Sequence, residues 1–234
     1  MSEQPQPPAA FTFGRTRDWP GFFEAVAGGE PRQTLLDALD LFDAERSADA
    51  DKAAQPYAID LGCGEGRDTA ELLRRGWRVL AIDGHPEGIQ RLLAREDLVR
   101  ADQLDTRVEA FEDLGMLPPC RLLNASFALP FCTPKHFARV WSLITGAIEP
   151  GGRFVGQIFG DRDEWASIPD RSHFSRAHTE RLFGGFLLEC LREEEKDAQD
   201  AAGNRKHWHV FHIVARKRDG LPQGQDPPDR NRGG

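Results

Sequence analysis

The sequence predicts an α/β fold built on a mostly parallel sheet. Three observations predict it. Apolar runs of strand length alternate with helical patterns from Tyr57 onward. A glycine-rich turn, Gly62-Cys63-Gly64-Glu65-Gly66, separates the first apolar run from the first helical pattern that follows it. Two late apolar runs are joined by a charged turn containing Gly203 and Asn204, which suits an antiparallel hairpin.

Taken in order, Pro31 opens a helix in which Thr34, Leu35, Leu36, Leu39 and Phe42 share one face. A flexible stretch, 47–55, leads to the first strand at 57–61. A helix over 67–75 stops at Gly76, a residue that ends helices by accepting a left-handed backbone. The second strand is expected at 77–82, and Pro86 starts a helix reaching about 95. Strands three and four are expected at 107–111 and 121–126. A helix over 134–148 is closed by Glu149-Pro150-Gly151-Gly152, and a fifth strand follows at 153–159. The late hairpin is expected at 186–192 and 207–216.

With 234 residues, 39% of them hydrophobic, the chain can bury a full core. Residues 1–10 and 219–234 are polar and rich in Pro, Gly and Gln, a composition that predicts disorder. Between them we expect a helical cap over 11–55 and a ligand-binding domain over 56–218. No apolar run approaches the roughly 20 residues that cross a bilayer. The first ten residues do not resemble a secretion signal, so a cytoplasmic protein is expected.

The formal net charge of −8 repels polyanions, which disfavours nucleic acid and favours a small-molecule substrate. The four cysteines lie far apart without a C-x-x-C pair, the pattern of free thiols rather than of a disulfide framework or zinc site. His207 and His209 would share one face of a strand, but two ligands do not make a zinc site and no metal is expected.

The chemistry is concentrated in Ala58-Ile59-Asp60-Leu61-Gly62-Cys63-Gly64-Glu65-Gly66-Arg67-Asp68. Glycines there let the backbone approach a ligand, and the following helix offers free N–H groups. A dinucleotide fingerprint spaced from Gly62 and Gly64 would need its third glycine at position 67, which is Arg. The glycines fall instead at 62, 64 and 66, behind Asp60. This pattern resembles motif I of the class I S-adenosylmethionine-dependent methyltransferases. With Arg75-Gly76-Trp77-Arg78-Val79-Leu80-Ala81-Ile82-Asp83 it resembles the tellurite-resistance-type, small-molecule subgroup, and the resemblance extends to about Ala215.

The resemblance implies a Rossmann-like class I methyltransferase fold, with a mostly parallel seven-stranded sheet, an antiparallel C-terminal hairpin and helices on both faces. It implies S-adenosyl-L-methionine as cofactor. In that family pattern Asp60 engages the methionine amino group, Gly62, Cys63 and Gly64 form the floor, and Arg67 lies on the carboxylate side. Asp83, followed by Gly84, matches the acid that accepts both ribose hydroxyls, since a carboxylate opposes two acceptors to two vicinal donors. A strand-end acid capping the next helix is its rival. Glu112 and Asp113 fall where adenine is recognised, and Asn124 beside the transferring methyl. Asn124 and Phe127 have the spacing of the Asn-Pro-Pro-Tyr/Phe signature, but Ala125 and Ser126 replace both prolines, which argues against amide or adenine methylation.

The acceptor would meet the segment after the fifth strand, where Arg162 and Trp165 are candidate contacts. Phe127 is a candidate contact or a core residue. Trp19, in Trp19-Pro20-Gly21-Phe22-Phe23, belongs to a lid over the cofactor or to a helix packed on the sheet. A general base is optional for displacement at a sulfonium; His173, His178 or an acid near Asp161 would serve a hydroxyl or amine. The rival functions are a protein that binds the cofactor without turnover, and a nicotinamide-dependent oxidoreductase.

Overall fold

The computed structural model describes residues 17–48 and 55–219. The ends expected to be disordered lie outside these residues apart from Asp219. Most of the expected 47–55 linker lies outside them too.

Two helices, α1 (Trp19–Val26) and α2 (Gln33–Ala48), precede the sheet. Strand β1 (Tyr57–Leu61) then passes through the glycine turn into α3 (Arg67–Arg74), and Gly76, at φ 85°, ends that helix as expected. Strand β2 (Arg78–Asp83) is followed by α4 (Pro86–Leu93), which starts on its proline. Strands β3 (Leu104–Val108) and β4 (Cys120–Ala125) come next, then α5 (Pro134–Ala147) and β5 (Ile148–Gly160). The chain ends in β6 (His173–Phe174), α6 (Arg176–Leu182), β7 (Phe186–Gln199) and β8 (Arg205–Lys217).

The sheet has eight strands in the order β3-β2-β1-β4-β5-β8-β7, with the two-residue β6 beside β5. Strands β1 to β5 pair in parallel, and β8 runs antiparallel to both β5 and β7. Side chains alternate across such a sheet. Ile59, Leu61, Leu123 and Phe154 accordingly join the cluster under α5 and α6. Ala58, Val79, Leu122 and Val155 join Leu35, Leu39 and Phe42 of α2 and Leu72 of α3. Helices thus cover both faces of a Rossmann-like α/β fold.

Several elements differ from expectation. The sheet has eight strands rather than seven because the short β6 joins β5, and α6 is an unexpected helix. Strand β5 begins at Ile148 and so takes in the 149–152 segment expected as a closing turn. Strand β3 lies three residues earlier than 107–111, because it is an edge strand half-buried at Leu104 and Thr106, with Val108 exposed. Its true end releases residues 109–112 to the loop above the sheet. The hairpin strands run far beyond 192 and begin before 207. Their distal halves pair Glu195 with His209 and Asp197 with His207. Charge pairs rather than apolar alternation define that ribbon, so hydrophobic pattern alone does not reveal it.

Candidate functional site

A cavity of about 370 Å³ lies along the carboxyl ends of the parallel strands. At one end it is walled by Asp83 and Gly84 after β2 and by Glu109 to Glu112 after β3. In the middle lie the glycine turn and Asp60, and at the other end Phe127, Phe159, Trp165 and Trp208. The strand order puts these ends on opposite sides of β1 and β4. Helix α1 covers the opening with Trp19, Phe22 and Phe23, and the turn between β7 and β8 reaches it with Asp200 and Ala201.

Parallel register sets Asp60 beside Asn124 on the face under α2 and α3. Asn124 donates its amide to Asp60 Oδ1 at 2.9 Å and to Asp68 Oδ2 at 3.0 Å. Thr69 donates to Asp60 Oδ2 at 2.5 Å, and the backbone N–H of Arg32 donates to Asp68 Oδ1 at 2.9 Å. Burial, and then the neighbouring Asp68, push the Asp60 carboxyl up to about 7. Two buried acids on one donor amide form a site of negative potential, suited to a ligand cation.

The turn itself depends on glycine. Gly62 sits at φ 75°, and a Cβ there would fall 2.3 Å from Ala128 Cβ. Gly66, at φ 85°, starts α3 with no room for a side chain under Leu92. Across the turn, Asp83 Oδ2 accepts the N–H of Gly64 and Oδ1 that of His85, both at 2.8 Å. Burial raises the Asp83 carboxyl, and these two N–H groups oppose the rise. One lone pair on each oxygen remains for a further donor.

Of the cofactor residues expected from sequence, Asp60, Gly62, Cys63, Gly64, Arg67, Asp83, Gly84 and Glu112 line the cavity. Arg67 lies 3.7 Å from Glu65, which Arg95 also holds. Asn124 and Asp113 are not on the cavity wall; Asn124 is wholly buried behind the acid pair. Among the substrate candidates, Trp19, Phe127 and Trp165 reach the cavity. Arg162 does not: it is engaged by Glu193 at 2.8 Å and Glu195 at 2.7 Å on the hairpin. The candidate bases His173, His178 and Asp161 are off the wall as well. His173 lies beneath it, 3.8 Å from Asp163, and His178 packs on Phe174.

Several contributors escaped sequence reading. Asp68 is legible only once its helix is docked on the sheet. Glu109 faces the cavity with Oε1 accepting the N–H of Gly115 and Oε2 buried without a partner among the described residues. Arg139 of α5 holds the 109–114 loop by donating to the carbonyls of Phe111, Glu112 and Leu114. Arg32 places its guanidinium 4.6 Å from the centre of the Phe127 ring. A polar residue in the middle of an apolar strand, as at Asp60 and Asn124, was the available signal for the acid pair.

Residues 58–152 match the protein family described as a methyltransferase domain. Over 130 residues the chain is 33% identical to carboxy-S-adenosyl-L-methionine synthase of Erwinia tasmaniensis, covering 51% of this chain and 52% of that protein. It therefore spans about half the length of that curated relative. TehB from Haemophilus influenzae shares the fold with a TM-score of 0.60 at 17% identity, over 75% of this chain and 62% of that one. The 1,6-didemethyltoxoflavin-N1-methyltransferase of Burkholderia thailandensis, solved with 1,6-didemethyltoxoflavin and S-adenosylhomocysteine, gives a TM-score of 0.57 at 18% identity, over 93% and 94% of the two chains. With the glycine turn, the acid after β2 and the reversed terminal hairpin in place, the chain shares the Rossmann-like fold of these structures, and its residues 58–152 are similar to a methyltransferase domain.

Proposed function

We propose that this protein is an S-adenosylmethionine-dependent methyltransferase acting on a small molecule in the cytoplasm. One observation carries the reading: a buried acid pair and a strand-end carboxylate flank a single glycine turn. Asp60 and Asp68 suit the ammonium of the methionine moiety, Asp83 suits two vicinal hydroxyls, and the unpartnered Glu109 Oε2 suits an amino group on a base. The same acid pair opposes a nicotinamide dinucleotide, whose pyrophosphate would bring negative charge to that turn. An acidic chain and four free cysteines, three of them buried, fit a small substrate and a reducing compartment.

When bound, the cofactor supplies an electrophilic methyl group on a sulfonium. The chain's part is alignment and dryness. Asp83 and the glycine turn fix one end, the acid pair fixes the other, and Trp19, Phe22 and Phe23 exclude water over the reacting centre. On the aromatic side Asp200 is spent on its own turn, accepting the N–H groups of Ala202 and Asn204 at 2.9 Å. A nucleophile that arrives already ionised needs no base from this wall.

Calorimetry with S-adenosylmethionine, S-adenosylhomocysteine and NAD tests the cofactor. Saturable binding of the first two alone is expected, and its absence rejects the reading. Release of S-adenosylhomocysteine in the presence of an acceptor panel separates an enzyme from a protein that only binds.

A further inference from the structure

The far end of the cavity is a wall of rings. Trp19 meets Phe131 edge-on at 4.9 Å between centroids, Phe131 lies 6.3 Å from Trp165, and Trp165 lies 5.7 Å from Trp208. Such a wall favours a flat aromatic guest over an aliphatic one, because ring quadrupoles add to burial.

The cations at this end are not alike. Lys206 is paired with Asp163, and Arg17 and Arg171 share Asp170. Arg32 lines the cavity, yet among the described residues its guanidinium has no hydrogen-bonded or ion-paired partner; Asp68 takes only its backbone N–H. Phe127, whose ring lies under that guanidinium, is held at φ 53° with its N–H donated to Gln157. A non-glycine residue in that region costs backbone energy and persists where surroundings enforce it. Burial, and then Arg67, lower the Arg32 pKa to about 10 against the opposing pull of the Asp68 and Glu65 carboxylates, which leaves it charged at neutral pH. A half-buried guanidinium that faces a cavity with no carboxylate in hydrogen-bond contact favours a guest that brings one, and guanidinium matches a carboxylate through two parallel hydrogen bonds.

We infer that the acceptor is a planar aromatic acid, its ring against the Trp19, Phe131, Trp165 and Trp208 wall and its anionic group on Arg32. This rests on the cofactor reading above, which assigns the other end of the cavity.

The test uses protein saturated with S-adenosylhomocysteine, titrated calorimetrically with 2-naphthoate, 2-naphthamide and hexanoate. We expect 2-naphthoate to bind about tenfold more tightly than either control, the amide lacking the charge and hexanoate the ring. In Arg32→Gln the advantage of acid over amide should shrink to about twofold, with affinity for S-adenosylhomocysteine kept. Equal binding of acid and amide by the unaltered protein, or no binding of 2-naphthoate, overturns the inference without recourse to a variant. So does an Arg32→Gln protein that keeps the acid preference but loses S-adenosylhomocysteine, which would assign Arg32 to the cofactor's own carboxylate. If the unaltered protein takes up no S-adenosylhomocysteine, the cofactor reading falls first and this one with it.

Discussion

Gly64 donates its backbone N–H to Asp83 Oδ2 at 2.8 Å, which ties the turn after β1 to the acid that ends β2. The acid is thereby aimed before any ligand arrives. Asp83→Asn keeps the shape but replaces one acceptor oxygen by a donor, which faces either a backbone N–H or a ligand hydroxyl. We expect affinity for S-adenosylhomocysteine to fall about tenfold or more, at least about 1.4 kcal/mol, by calorimetry. Unchanged affinity would remove Asp83 from the site.

Asp60 makes binding pH-dependent. Its carboxyl is raised from 3.8 to about 7 by burial and by Asp68. A raised folded-state pKa contributes stability that is fully present below the unfolded value and lost as pH rises through about 7, so the free protein should melt lower at pH 8 than at pH 6. Binding of an ammonium has the opposite sign, because it favours the ionised acid. Affinity for S-adenosylhomocysteine should rise by up to about tenfold from pH 6 to pH 8, and Asp60→Asn should flatten the profile. A flat profile in the unaltered protein would refute the ammonium contact.

Much of this arrangement was legible before folding, and the reasons for the exceptions are physical. The strand-turn-helix at 57–74 and the acid closing β2 announce themselves because each uses local chemistry: glycine at positive φ, proline at a helix start, an apolar run of strand length. Asp68, Arg32 and Glu109 stay hidden because their roles depend on what tertiary packing brings near them. Arg162 shows the converse. Its position after β5 suits a substrate contact, but a ribbon of Glu193 and Glu195 claims it, and that ribbon has no hydrophobic period to reveal its length.

Gly62→Ala should damage both fold and site. A left-handed backbone costs an L-residue about 1–2 kcal/mol, and the overlap with Ala128 adds to it. We expect a lower melting temperature and loss of saturable cofactor binding. Adding Ala128→Gly removes the overlap but not the φ cost, so the double variant should recover only part of the loss in thermal melting. Full recovery would show that the backbone angle is unimportant.

The buried pair Lys206–Asp163 fixes the hairpin over the cavity. Lys206 Nζ contacts both oxygens of Asp163 at 2.6 Å, and the two side chains are 2% and 0% exposed. Asp163 also accepts the N–H groups of Trp165 and His209, so it joins the loop after β5 to the first residues of β8. Lys206→Met leaves that carboxylate without its cation in an apolar surround, a change that typically costs about 3–5 kcal/mol. Asp163→Asn in the same chain removes the stranded charge, so the double variant should be more stable than Lys206→Met alone by thermal or denaturant unfolding. Hydrogen exchange should quicken at 199–205 in the single variant, since the hairpin tip loses its tether before the sheet does. If the single variant melts like the unaltered protein and its hairpin exchanges no faster, the pair does not hold the arm in place.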